Sequence, residues 1–133
     1  GDAVMAFWGA PLNCPDQAEK AVLAALDMEL ELELFKQEVG ELGIDFDIGI
    51  GIHTGMAVVG MIGSEQRSDY TCIGDSVNLA SRIEGLTKDV SRILVSEETK
   101  NQCGIGFDFE EKGSYTVKGR QKQVILYAPL RRN

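Results

Sequence analysis

Asn78 and Arg82 stand four positions apart in "DYTCIGDSVNLASRIEG", residues 69 to 85. On a helix that spacing puts the amide and the guanidinium on one face. Arginine is planar, permanently charged and forked, which suits it to a phosphate. An amide offers a donor and an acceptor together, as a sugar oxygen or a ring requires. The pair is therefore equipped to hold the ribose and phosphate of a nucleotide. A plainer role is open to the same residues: an arginine stem lying along a packed helix with its head in water, and an asparagine competing for a cap.

Other polar residues offer less. His53, the single histidine, stands in "GIHTG" without a cysteine or carboxylate at metal-ligand spacing, so a structural hydrogen bond is expected of it. Asp75 reads as a turn or cap residue before a helix. Asp45 and Asp47 share one face of a strand and are expected at solvent or a subunit contact rather than as a metal dyad. The acidic run "DMELELELFKQE" reads as a solvated helix face.

These residues need elements to position them. Asp16 followed by Glu19 has capping-box spacing, and Ala18, Ala21, Val22, Ala25, Met28 and Leu32 recur at helical intervals before Gly40, predicting the longest helix. "IDFDIGIGIHTG" alternates, with Ile44, Phe46, Ile48, Ile50 and Ile52 on a core face. Its glycines, 49 and 51, either weaken the strand or let something large approach. "MAVVGMIGS" is expected to return from it as a hairpin. Then follow a strand at "YTCI", a helix from Ser76 to about Leu86, a strand at "RILV", a short helix from "SEET", and closing strands around "GFDFEEKG" and "KQVILYA". The opening "GDAVMAFWGAP" is strand-like. This order predicts a single α+β domain over residues 1–133, with helices on one face of a mainly antiparallel sheet.

Composition narrows the partners. A formal charge of -8, with Lys and Arg scattered, disfavours nucleic acid and anionic membranes, which need clustered cations. Cys14, Cys72 and Cys103 are odd in number and lack CxxC spacing, which fits a reducing, cytoplasmic setting. No apolar run is long enough for direct membrane insertion.

Taken in order, "GDAVMAFWGAP", "IGIGIHTGMAVVGMIGS", "RSDYTCIGDSVNLASRIEGLTK" and "SYTVKGRQKQVILYAPL" closely resemble the catalytic domain of class III nucleotidyl cyclases, the adenylate and guanylate cyclase family. The resemblance covers essentially the whole chain. It implies a ferredoxin-like cyclase fold and conversion of ATP to 3′,5′-cyclic AMP and pyrophosphate at the interface of a homodimer, or of a dimer with a related cyclase subunit. It implies two divalent metal ions, Mg2+ or Mn2+, with Asp2 as one of the holding carboxylates. Asn78 matches the residue that orients the ribose, Arg82 the one that meets charge at the α-phosphate, and Lys118, in "YTVKGR", one that contacts the β and γ phosphates. Thr71, seven before Asn78, matches the base-choosing position and favours ATP, since guanylate cyclases typically carry Cys there. The family's first metal aspartate and its adenine-reading lysine lie upstream of the "GD" block. The fold is therefore expected to lack its N-terminal strand-helix segment, and the chain as given to self-associate and be inactive. A noncatalytic dimerisation or nucleotide-sensing module, and a guanylate cyclase using GTP, are the alternatives.

Overall fold

In the computed structural model, residues 3–43 and 46–131 are described. Helix α1, Gln17–Gly40, precedes strand β1, Ile50–Ile52, and the strands β2, Val58–Ser64, and β3, Arg67–Ile73. Helix α2, Asp75–Leu86, leads to strand β4, Ile93–Ser96, and helix α3, Glu97–Gln102. Strands β5, Asp108–Tyr115, and β6, Val124–Leu130, close the order. Four strands form one sheet in the order β1-β4-β6-β5, with β1 parallel to β4 and the other two pairings antiparallel. The class is α+β, as the order of elements predicts.

The pairing differs from the sequence expectation at the glycine-rich strand. The hairpin partner of β2 is β3, joined from Val58↔Ile73 to Ser64↔Arg67, and β1 pairs with β4 instead. "IGI" is a short strand at the edge of this sheet, and its neighbour comes from a crossover through α2. The opening residues 3–8 adopt no regular structure, so the strand-like composition there has no ladder.

Helices cover both faces of the sheet, not one. In β4, Ile93 and Val95 pack with Val22 and Ala25 of α1 and with Tyr127 of β6. Leu94, between them, points the other way, against Leu79 and Ile83 of α2 and Leu126 of β6. Every residue of β4 is buried, as befits a strand with a covered surface on each side. The alternation of period two thus divides one four-residue run between two cores.

The glycines of β1 explain how α2 comes so near. A Cβ built on Gly51 would lie 2.7 Å from the Ala80 carbonyl oxygen and 2.8 Å from Glu84 Cα, both backbone atoms of α2. On Gly49 it would lie 2.9 Å from Thr87 Cβ, just past the helix end. What approaches the glycine face is therefore the helix that carries Asn78 and Arg82. On the opposite face Ile50 and Ile52 join the α1 core, whereas Phe46 and Ile48 stay 46% and 37% exposed, so the predicted core face holds only at its end. Ile44 and Asp45 lie outside the described residues.

Helix α1 begins one residue after Asp16, as the spacing predicts, but without the capping box. Asp16 makes no side-chain cap bond; it accepts from the Cys14 thiol at 3.4 Å and pairs with Lys20 at 3.7 Å. Met28, expected on the buried face, is 48% exposed. The acidic run has a structural use as well: Glu29, Glu33 and Asp47 surround Arg92, with Arg131 also on Glu29. The three cysteines are free. Among the described residues no helix is long and apolar enough to cross a membrane.

Candidate functional site

Strand β3 carries Thr71 opposite Gly60 and ends at Ile73. Gly74 then turns the chain with φ of 133°, a conformation that glycine accepts without steric cost, and serves as the N-cap of α2. With no side chain to cap the helix, its first turn is closed by the backbone: Asn78 N–H donates to the Gly74 carbonyl at 3.1 Å. Asn78 is therefore held at the start of α2, exposed, one turn before the half-buried Arg82. Leu79 and Ile83, the neighbours of this pair, are buried against β4 and β6 and fix the rotation of the helix.

The connection from β5 to β6 arrives at the same place. A Cβ on Gly119 would lie 3.6 Å from a terminal guanidinium nitrogen of Arg82, so that guanidinium rests beside the residue following Lys118. Lys118 itself is exposed, while Val117 before it is buried in the α2 core and anchors the loop. The structure thus brings together Asn78, Arg82 and the backbone next to Lys118. Thr71 lies half-buried on the strand that feeds α2. Asp2 lies outside the described residues.

Sequence reasoning passed over one member of this group. Arg120 donates to an Asp75 carboxylate oxygen at 2.6 Å, a charge-assisted bond between the loop and the first residue of α2. Asp75, expected as a turn or cap residue, is instead the first helical residue and makes no cap bond. The signal for the pair was 45 residues of separation, which spacing rules do not read.

His53 makes the structural hydrogen bond expected of it. Its Nδ1 is 2.8 Å from Ser96 Oγ, at the end of β4. Ser96 Oγ is 3.3 Å from Thr99 Oγ1 and accepts from the Thr99 amide, capping α3; Thr99 Oγ1 is in turn 2.9 Å from Thr54 Oγ1. Ser96 and Thr99 are buried, and each buried hydroxyl has a partner. Burial pushes His53 below the ordinary imidazole range; Glu98 and Asp75 oppose that shift and Arg120 adds to it.

Among the described residues no three of His, Cys, Asp and Glu converge on a point where a metal ion could sit. The described residues alone do not form a metal centre; Asp2, the carboxylate that the resemblance assigns to a metal, lies outside them.

The family model for the adenylate and guanylate cyclase catalytic domain matches residues 1–128. Over 96% of its length the chain is similar to Adenylate cyclase 1 of Rhizobium meliloti (strain 1021), at 40% identity across 129 residues, and it spans 19% of that relative's length. Its fold matches the adenylyl cyclase CyaB from P. aeruginosa with a TM-score of 0.86 and 32% identity, covering 95% of this chain and 66% of that one. It matches the guanylyl cyclase Cya2 with a TM-score of 0.81 and 35% identity, covering 90% and 61%. With sequence and backbone in agreement over nearly every residue, the chain belongs to the adenylate and guanylate cyclase catalytic domain family.

Proposed function

We propose that the chain acts as the catalytic domain of an adenylate cyclase, converting ATP to 3′,5′-cyclic AMP and pyrophosphate. The observation that supports this reading is the approach of the Arg82 guanidinium to Gly119, the residue after Lys118, one helical turn from Asn78. In the reaction the ribose 3′ oxygen attacks the α-phosphorus and its proton passes to solvent; a new P–O bond forms, and the bond from the α-phosphorus to the bridging oxygen breaks, that oxygen leaving with pyrophosphate. Charge builds on the phosphoryl oxygens and on the departing pyrophosphate. Arg82, held by the packing of α2, would meet the first charge without reorganising. Lys118 would neutralise the second. Asn78 would hold the ribose so that the nucleophile lies in line. Thr71 would face the base and favour adenine.

The family's divalent cations, Mg2+ or Mn2+, supply Lewis-acid polarisation of the reacting oxygens when bound, and we assign Asp2 as one of their ligands. We also assign the working unit as a homodimer, with each site shared between subunits. Exposed apolar pairs on both faces of the β2–β3 ribbon, Val58 opposite Ile73 on one and Met61 opposite Tyr70 on the other, support contact of this ribbon with a second subunit.

The test is cyclic nucleotide formation from ATP and from GTP by the full-length protein, assembled as a dimer, and by its Arg82→Ala and Asn78→Ala variants. Loss of a preorganised donor such as Arg82 is expected to lower turnover by about 100-fold or more. Unchanged turnover in both variants would sink the assignment, and preference for GTP would reassign Thr71.

A further inference from the structure

We propose that Arg120 and Asp75 form a latch, a positioning pair that holds the β5–β6 loop against the start of α2 and thereby keeps Lys118 at the face shared by Asn78 and Arg82. The inference rests on the adenylate cyclase reading only for its consequence in binding; the latch itself stands on geometry.

Three observations carry it. The loop spans residues 116–123, and two residues before Arg120 it places Lys118 in solvent. Its start is tied down, since Val117 is 3% exposed and its carbonyl accepts from the Arg120 amide at 3.1 Å. Its far end enters β6 at Val124, leaving the middle to be held by side chains. The Arg120–Asp75 bond, at 2.6 Å, ties the middle of the loop to the first residue of α2. Asp75 suits the helix end independently, since a carboxylate in the first turn is favoured by the helix dipole and Gly74 offers no capping side chain.

The second observation concerns which way the cation is turned. Arg120 is one of three basic residues in "KGRQK", and a free arginine beside a phosphate site would be drawn to the phosphate. Here its head is committed to Asp75 and its Nε is buried, while Lys118 is left exposed. The third is Arg82, whose guanidinium lies against Gly119, between Lys118 and Arg120 in the chain. The loop therefore meets α2 at two points about two turns apart, through Asp75 and through Arg82. Releasing the first contact frees Lys118 to leave the second.

The experiment is a double-mutant cycle on the chain, using Asp75→Asn, Arg120→Ala, the double variant, and Arg120→Lys as the conservative replacement. Amide hydrogen exchange over residues 116–123 is measured without ligand, and inorganic pyrophosphate is titrated calorimetrically. Both single variants should raise exchange in the loop, and the double variant should add nothing further. Pyrophosphate affinity should fall about 10-fold in each single variant and no more in the double, a coupling within the usual range for contacting charges. Arg120→Lys should recover most of that affinity, which a general loss of fold would not allow. Unchanged exchange in Asp75→Asn, or tighter pyrophosphate binding by it, would overturn the latch, the latter by showing Arg120 to be a phosphate ligand restrained by Asp75. If the exchange cycle behaves as described and the unmodified chain does not bind pyrophosphate, the latch stands and the cyclase reading of the site falls. Asp75 is largely exposed, so its substitution tests the pair even if Arg120→Ala fails to fold.

Discussion

Gly51→Ala is a one-carbon change with a calculable effect on the position of α2. The added Cβ would sit 2.8 Å from Glu84 Cα and 2.7 Å from the Ala80 carbonyl oxygen. Carbon atoms in ordinary contact stand about 3.5–4.0 Å apart, so the helix has to withdraw by roughly 0.7–1.2 Å. Both obstacles are backbone, and no rotamer change relieves them. Overpacking of this kind costs about 1–3 kcal/mol, against which alanine recovers about 0.5–1 kcal/mol of chain entropy in the unfolded state. The net expectation is a loss of up to about 2.5 kcal/mol. Gly85→Ala is the internal control, because a Cβ there meets nothing within 4 Å. In α2 it should gain about 0.5–1 kcal/mol from helix propensity. Urea unfolding of the two variants should therefore move in opposite directions. Function should suffer more than stability, since a displacement near 1 Å in a positioned group can cost about 100-fold in rate. If Gly51→Ala unfolds at the same urea concentration as the unmodified chain and binds pyrophosphate as well, the helix is not seated on that glycine and the positional account of the site is wrong.

Two further outcomes follow from charges away from α2. Arg92→Ala leaves Glu29, Glu33 and Asp47 without the cation they share, at 3.8, 3.4 and 3.2 Å. Its guanidinium is a partly exposed hub, so the loss should be about 1 kcal/mol in dilute buffer and should shrink in concentrated salt; a salt-independent effect would contradict an electrostatic role. His53 is held below its unfolded value of about 6.5, so the unfolded chain binds the extra proton first. Its contribution to stability is complete above the unfolded value and is lost as pH falls toward the folded one. NMR titration of this single imidazole should show the depressed value, and Arg120→Ala, which removes a nearby positive charge, should raise it. A ring titrating at or above 6.5 in the unmodified chain would show that burial is not the governing cause.

Local signals were the legible ones. Helical periodicity with the Asp16 start locates α1, and the turn at Gly74 puts Asn78 and Arg82 on one face of α2. Ordered motifs identified the family. What failed was long-range. "IGIGI" and "AVVGMIGS" look like adjacent halves of a hairpin, because nothing local says that β1 takes its partner 43 residues later, in β4. The wrong face count had a similar origin: a run such as "RILV" reads as buried, but whether one or two layers bury it depends on where α1 and α2 land. The approach of something large to Gly49 and Gly51 was foreseen, though not that it would be the site's own helix. Arg120 escaped because its partner lies in another motif.

The β2–β3 ribbon is hydrogen-bonded to itself, and among the described residues no ladder joins it to the four-stranded sheet. Under the proposed reading, Thr71 rides on this arm while Arg82 and Lys118 depend on the main body. Discrimination between purines and handling of the triphosphate would then reside in separable mechanical pieces. Selection could retune one without disturbing the other, and a family with this layout could exchange adenine for guanine while its bond-making apparatus stayed unchanged.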